Sequence, residues 1–155
     1  MRQWVASIGM ACLGVALMGT ISNSDAQQAA GAEVASSESA GRPAPSTDTF
    51  GQTQYVLAGE PIVPPRDYSK GIEIPQPQDY DPIESGKIYD VAFVGIQDGK
   101  IQFEVRGYSI ADLDHPDTGQ TIEFPADQKT IVIRDLTIEV DEVMPNSLTY
   151  AVQLS

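Results

Sequence analysis

The residue types best able to do chemistry are concentrated in one acidic segment. Asp112, Asp114 and Asp117 place three carboxylates within six residues. Calcium is bound by carboxylate and backbone oxygens in flexible geometry, so this spacing predicts a calcium site, with calcium as the one cofactor suggested. The segment is not an EF-hand loop, because Pro116 and Asp117 occupy the fifth and sixth positions. The alternative is an acidic surface loop in which aspartate favours turns.

His115, the single histidine, lies inside the same segment. A serine or threonine hydrolase needs a base that a third group orients, and His115 is the one histidine that could serve. Pro116 follows it directly, among turn-forming residues. We therefore expect an exposed loop histidine. If it joined the neighbouring carboxylates, a transition metal would be a second metal option.

No other catalytic set is evident, so the sequence predicts a protein that is not an enzyme. The single cysteine, Cys12, excludes an intrachain disulfide and a thiolate zinc cluster. Paired glycosidase carboxylates need a cleft, for which the predicted fold is small. Removal of residues 1–26, argued below, would also leave no tryptophan to stack on a sugar, because the one tryptophan is Trp4. A small carboxylate-based hydrolase is kept as the alternative.

The charge balance narrows the choice of partner. The chain has 22 acidic and 9 basic residues, a formal net charge of -13 and an isoelectric point near 4.1. Phosphate binding requires a basic surface, so nucleic acid is excluded as a partner. The same balance disfavours adhesion to an anionic membrane surface.

Residues 1–26 have the pattern of a secretory signal peptide. Arg2 is followed by the apolar run Trp4–Ile21, and Ser24-Asp25-Ala26 resembles a signal-peptidase site. Cleavage before Gln27 predicts no stable membrane insertion of the mature chain. A retained anchor is the alternative, because the run approaches the ~20 residues that span a bilayer. Lipidation of Cys12 is disfavoured by the residues before it.

Without residues 1–26 the chain has no cysteine. Exported eukaryotic domains of this size usually carry disulfides, whereas a cysteine-free exported chain is common in the bacterial envelope. The sequence therefore predicts a periplasmic or secreted bacterial protein, most consistent with a Gram-negative envelope.

Composition divides the rest of the chain into three parts. Residues 27–49 are rich in Ala, Ser, Gly and Glu, which predicts disorder. Residues 50–85 contain many prolines and are predicted to form an extended arm. Residues 86–155 alternate apolar and polar side chains and are predicted to form a β domain.

The proline-rich arm contains a short repeat. Pro65-Arg-Asp-Tyr68 is matched by Pro77-Gln-Asp-Tyr80, and each copy precedes an Ile-Glu pair. Two copies of a recognition motif on an extended arm are one interpretation. Reuse of a small alphabet in an acidic linker is the other, and it is favoured.

A β-hairpin is predicted around Asp98-Gly99, which suits a type I′ turn. A regular register then places two sets of side chains on opposite faces. The predicted pairs on one face are Ile96 with Ile101, Val94 with Phe103, and Ala92 with Val105. The other face then carries Tyr89, Val91, Phe93 and Tyr108.

A second hairpin is predicted at the C-terminus. Leu136, Ile138 and Val140 alternate with polar residues, as do Leu148 to Leu154, which implies a three-residue loop at 145–147 and a Val140–Val152 pair. Arg134-Asp135 interrupts the alternation and predicts a bulge or corner between sheets. About six strands in total predict a small antiparallel β-sandwich or a partly open barrel.

The half-apolar second face of the first hairpin is predicted to be covered. Tyr89, Val91, Phe93 and Tyr108 are therefore candidate partner-binding residues. Cover by a second sheet is another option, and cover by residues 72–83 of the same chain is the favoured one. The predicted function is a non-enzymatic binding or structural module of the bacterial envelope, whose partner is an unidentified envelope protein or glycan. An accessory subunit of an envelope assembly or secretion complex is the alternative.

Overall fold

The computed structural model describes residues 42–155, which fold into two four-stranded antiparallel sheets. This confirms the predicted all-β sandwich. The predicted signal peptide, and residues 27–41 of the segment predicted to be disordered, lie outside the described residues. The strands are β1 (Gln54–Leu57), β2 (Pro61–Arg66), β3 (Ser85–Gln97), β4 (Lys100–Ser109), β5 (Thr118–Pro125), β6 (Thr130–Ile133), β7 (Leu136–Met144) and β8 (Ser147–Leu154).

One sheet has the strand order β1-β8-β7-β6 and the other has the order β2-β3-β4-β5. The side chains between them form one apolar core, as expected when two sheets each bury one face. Both sheets contribute fully or almost fully buried residues, including Val56, Val91, Phe93, Ile101, Phe103, Leu136, Ile138, Leu148 and Tyr150.

The β domain begins earlier than residue 86, because two strands arise from the region predicted to be an extended arm. β1 pairs with β8, with Val56 opposite Leu148. β2 pairs with β3 at the edge of its sheet. Its prolines cannot donate ladder hydrogen bonds, which suits an edge strand and accounts for its irregular register. Short 3-10 helices at Thr47–Thr49 and Pro77–Asp79 complete this region.

The β3–β4 hairpin has the predicted turn but only part of the predicted register. Asp98 and Gly99 have φ values of 51° and 75°, and Ile96 lies opposite Ile101. A bulge between Phe93 and Gly95 then shifts the pairing by one residue. The predicted Val94–Phe103 and Ala92–Val105 pairs are therefore wrong, because every side chain before the bulge changes face.

The β7–β8 hairpin buries the predicted apolar face, yet its turn differs from the prediction. Met144 lies opposite Ser147, so the turn has two residues. A bulge near Asp141 then shifts the register by one residue, so that even-numbered residues again pair with even-numbered ones. Val140 consequently pairs with Tyr150. The inward direction of the apolar side chains is confirmed, and the predicted loop length is wrong.

Arg134-Asp135 is also a two-residue turn, not a corner between sheets. Ile133 lies opposite Leu136, and Arg134 has a φ of 53°. Paired residues on either side of such a turn share a face, which explains why the apolar alternation changes parity there.

The two copies of the Pro-x-Asp-Tyr repeat contact each other. Asp67 of the first copy is buried and accepts a hydrogen bond of 2.9 Å from the Tyr80 hydroxyl of the second copy. Tyr68 is also buried and packs against Phe50 and Tyr89. The repeat thus forms part of the folded domain.

Candidate functional site

The face of β3 and β4 that points away from the core carries an unusual set of buried residues. Cross-strand pairs join Ile88 to Tyr108 and Asp90 to Arg106 on this outer face. Ile88, Asp90 and Tyr108 are all buried, although none of them belongs to the core cluster between the sheets. The chain therefore covers part of this outer face itself.

The predicted partner-binding residues are separated by the fold. Tyr89, Val91 and Phe93 lie in the core between the sheets, so their assignment to an exposed partner face is wrong. The bulge after Phe93 explains the error, since it turns these three residues inward. Tyr108 alone remains on the outer face.

The segment predicted to cover this hairpin does not account for that burial. Ile74 is 62% exposed and Ile83 is 90% exposed, so these apolar side chains of residues 72–83 are not packed onto a sheet face. The opposite sheet covers Tyr89, Val91 and Phe93 instead.

Asp90 is the centre of the outer-face cluster. Its side chain is 3% exposed. Oδ1 accepts a hydrogen bond of 2.8 Å from Nε of Arg106, and Oδ2 accepts bonds of 2.6 Å from Nη2 of Arg106 and 2.9 Å from the Tyr108 hydroxyl. A bidentate guanidinium and a phenol together satisfy a carboxylate that is out of contact with water.

The surroundings of Arg106 and Tyr108 in this cluster also keep both side chains protonated. The hydrogen bonds that Arg106 donates to Asp90 raise the pKa of Arg106 above its usual value. Burial, reinforced by the Asp90 charge, raises the pKa of Tyr108 far above the usual range. Tyr108 thus remains a donor to Asp90, and Arg106 remains a cation, throughout the physiological pH range.

A cavity of about 460 Å³ opens above this cluster. Its volume lies within the range typical of small-ligand sites. Asp90, Arg106 and Tyr108 line it from the sheet. Its other walls come from residues 42–44, the β1–β2 turn, the edge strand β2 and the β4–β5 loop, through Arg42, Pro43, Ala44, Gly59, Pro61, Pro65, Leu113, Asp114 and Pro116.

Arg106 has the geometry of a group that can serve both the fold and a ligand. Its side chain is 21% exposed and lines the cavity. Nε and Nη2 are used on Asp90, while Nη1 has no hydrogen-bond partner among residues 42–155. A polar ligand in the cavity could therefore accept a hydrogen bond from Nη1 without disturbing the ion pair.

The three aspartates of the calcium prediction occupy different settings. Asp112 closes the β4–β5 loop, because its Oδ1 accepts hydrogen bonds from the backbone N–H groups of Asp114 and His115. Asp114 lines the cavity, and Asp117 donates its backbone N–H to Gly107. Within residues 42–155 no three acidic, histidine or cysteine side chains form a metal-binding group. Calcium binding here remains a prediction.

His115 is exposed, and its Nδ1 lies 3.0 Å from Oδ2 of Asp112. Hydrogen bonds from the backbone N–H groups of His115 and Asp114, and from the His115 ring, hold the pKa of Asp112 below its usual value. This geometry is that of a loop-closing aspartate.

Sequence reasoning missed Asp90 and Arg106. An uninterrupted register from the Asp98-Gly99 turn would place Asp90 opposite Gly107, whereas the bulge places it opposite Arg106. Opposite charges on the two strands of a predicted hairpin were the available signal. The pairing of Asp90 with Arg106 can be predicted from these charges only if the position of the bulge is known.

The structure thus defines a two-sheet antiparallel β-sandwich with a polar-floored cavity on the outer face of one sheet. No known protein family, curated protein or solved structure matches the chain. In the described part of the chain, no helix is long and apolar enough to cross a membrane.

Proposed function

We propose that this protein is an exported, non-catalytic module of the bacterial envelope that binds an envelope protein or glycan in the outer-face cavity. The cavity of about 460 Å³ over Asp90, Arg106 and Tyr108 is the observation that carries the proposal. Export rests on the signal-peptide pattern of residues 1–26. An accessory subunit of an envelope assembly or secretion complex is a particular form of the same proposal.

The lining of the cavity supports binding to a partner. Proline rings at positions 43, 61, 65 and 116 and the Tyr108 ring supply rigid, half-apolar surface. Arg106 and Asp114 supply polar groups that converge on the same space. Rigid apolar walls with a few placed polar groups are typical of sites that recognise a ligand.

The hydrogen bonds of Asp90 favour a binding function over acid–base catalysis. Both of its oxygens accept strong hydrogen bonds from Arg106 and Tyr108. A general acid needs a carboxyl group that takes up a proton and delivers it to the substrate. Because Arg106 and Tyr108 use both oxygens of Asp90, this carboxylate is suited to orienting Arg106.

The test is capture from a bacterial envelope fraction by residues 27–155, which contain all eight strands. Leu113 lines the cavity, so Leu113→Trp should fill it and reduce capture at least tenfold. The matched control is Val132→Trp, at a position on β6 that is 56% exposed and does not line the cavity. It should leave capture unchanged.

Two outcomes contradict the proposal. Equal loss of capture with both tryptophan variants would place the binding surface elsewhere. Capture of neither protein nor glycan by the unmodified chain would remove the binding role altogether.

A further inference from the structure

The first described residues of the chain run between two cavities. Arg42 and Pro43 line both the 460 Å³ outer-face cavity and a neighbouring cavity of about 150 Å³, and Pro61 of β2 lines both as well. Ala44 completes the wall of the larger cavity and Pro45 that of the smaller. If residues 42–45 moved away, the two cavities would become one continuous groove along β2.

This segment is held weakly at one end and firmly at the other. Residues 42–45 make no backbone hydrogen bond to any residue that the structure describes, and two of the four are prolines. Beyond them, the Ser46 side chain caps the 3-10 helix at Thr47–Thr49. Gly51 then donates its backbone N–H to Val152 over 2.8 Å. The segment can therefore leave the groove without disturbing the sheets.

The charges of the groove complement the segment that lies in it. Glu60 lines the smaller cavity and Asp114 lines the larger, so each of the two cavities that Arg42 lines also has a carboxylate in its wall. Arg42 is also the only basic residue from position 27 to position 65. Tyr55 and Tyr108 add aromatic surface, one in each cavity. Grooves lined by tyrosine and proline suit extended proline-containing peptides.

We propose that this groove is a peptide-binding site, and that its ligand is an extended segment of a protein partner with a basic residue followed by prolines. Arg42-Pro-Ala-Pro45 is the ligand supplied by the chain itself, and it must be displaced before a partner binds. This inference rests on the proposed function and deepens it, because it chooses a protein partner over a glycan.

The covalent attachment of residues 42–45 to the domain determines how tightly an added peptide is expected to bind. A short linker gives a segment an effective concentration of about 1 mM at its own site. A peptide of the same sequence, added in solution, must compete against that concentration. Weakening the attached segment should therefore tighten binding of the added peptide, whereas an ordinary surface would show no such dependence.

The experiment measures fluorescence anisotropy of a labelled peptide with the sequence of residues 39–47. The receptors are residues 27–155 and the same chain carrying R42S, P43S and P45S. We expect the triple variant to bind the peptide about tenfold more tightly than the unmodified chain. Its melting temperature should be unchanged, since the strands begin at Gln54.

Two controls test the chemistry of recognition. A peptide with Glu in place of the arginine should bind the triple variant at least fivefold more weakly. Adding Asp114→Lys to the triple variant should weaken binding of the original peptide by a similar factor, because it reverses a charge in the wall of the larger cavity. Equal binding of the two peptides, or no effect of Asp114→Lys, would overturn the inference.

The outcomes separate this inference from the proposed function. If the triple variant does not bind the peptide, while Leu113→Trp still abolishes envelope capture, the inference fails and the proposed function stands. Capture that is competed by a soluble glycan but not by the peptide overturns the inference in the same way. If the peptide binds as expected but nothing is captured from the envelope, the groove is a peptide-binding site and the proposed function in the envelope is wrong.

Discussion

Asp90 and Asp112 are both aspartates with a basic partner, and they lie in contrasting parts of the molecule. Asp90 is on a central strand, buried, and bonded to Arg106 and Tyr108 of the neighbouring strand. Asp112 is in the β4–β5 loop, where its side chain is 48% exposed and its partners are the next residues along the chain.

The difference shows what determines how much a carboxylate contributes to the stability of the fold. At Asp112, which is half-exposed, water competes for every hydrogen bond, including the one to the His115 ring. At Asp90, the side chain is buried, so the carboxylate depends on Arg106 and Tyr108 for its hydrogen bonds. Clusters of acidic residues in a sequence draw attention to exposed loops, whereas isolated acids within strands can be the more consequential ones.

The largest expected effect comes from removing the cation beside Asp90. Arg106→Met leaves a buried carboxylate with one remaining donor, which should lower the free energy of unfolding by about 3 kcal/mol. Urea denaturation followed by circular dichroism measures the change. Lys100→Met is the matched control on the same strand, because it breaks an exposed ion pair with Glu123. It should have little effect. Similar losses in the two variants would mean that the Asp90 site is not desolvated.

A smaller effect is expected from removing the phenol. Tyr108→Phe deletes the hydrogen bond to Oδ2 of Asp90 and should cost about 1.5 kcal/mol, since the acceptor is charged. The exposed Tyr55 provides the control, and Tyr55→Phe should be neutral. Combining Tyr108→Phe with Arg106→Met should give a non-additive loss, because both groups bond the same carboxylate. Strict additivity would argue against a shared network.

The smallest effect is expected at the loop aspartate, and it should depend on pH. The pKa of Asp112 is lower in the folded protein than its ordinary value of 3.8, owing chiefly to the backbone N–H of His115. Its contribution is therefore present above pH 3.8 and is lost as the pH falls through the lower folded value. Asp112→Ala should lower the melting temperature by about 2 °C at pH 7.

The same comparison at about pH 2 should show a smaller difference between Asp112→Ala and the unmodified chain, since the carboxyl group loses its charge as the pH falls. Asp127→Ala, at an exposed turn, is the control and should match the unmodified chain at both pH values. A difference that grows at low pH would show that Asp112 is not stabilised as the anion.

Several features followed from local sequence. Asp98-Gly99 encodes its turn because both positions need positive φ, which Asp tolerates and Gly favours. Leu136, Ile138 and Val140 point inward because a period of two sorts side chains by face. The composition of residues 86–155 similarly indicated β structure. None of these inferences required knowledge of distant contacts.

The Asp90–Arg106–Tyr108 cluster could not be predicted in the same way, because its formation depends on contacts between residues far apart in the sequence. The bulge beside Gly95 lies against the β7–β8 turn of the other sheet. The backbone N–H of Ile96 donates to the Pro145 carbonyl at 3.4 Å. A Cβ at Gly95, where φ is 136°, would approach that carbonyl oxygen to 2.9 Å. A contact between sheets therefore accompanies the register shift that is needed to place Asp90 opposite Arg106.

The sequence by itself determined the all-β class, the turn at Asp98-Gly99 and the inward face of the C-terminal hairpin, because turn chemistry and side-chain alternation act over a few residues. The tertiary structure decided which face of β3 is buried, and it joined β1 and β2 to the sheets. It also built the cavity from segments far apart in the chain. Such pairings depend on which surfaces meet when the sheets pack, and that is settled by the whole chain at once.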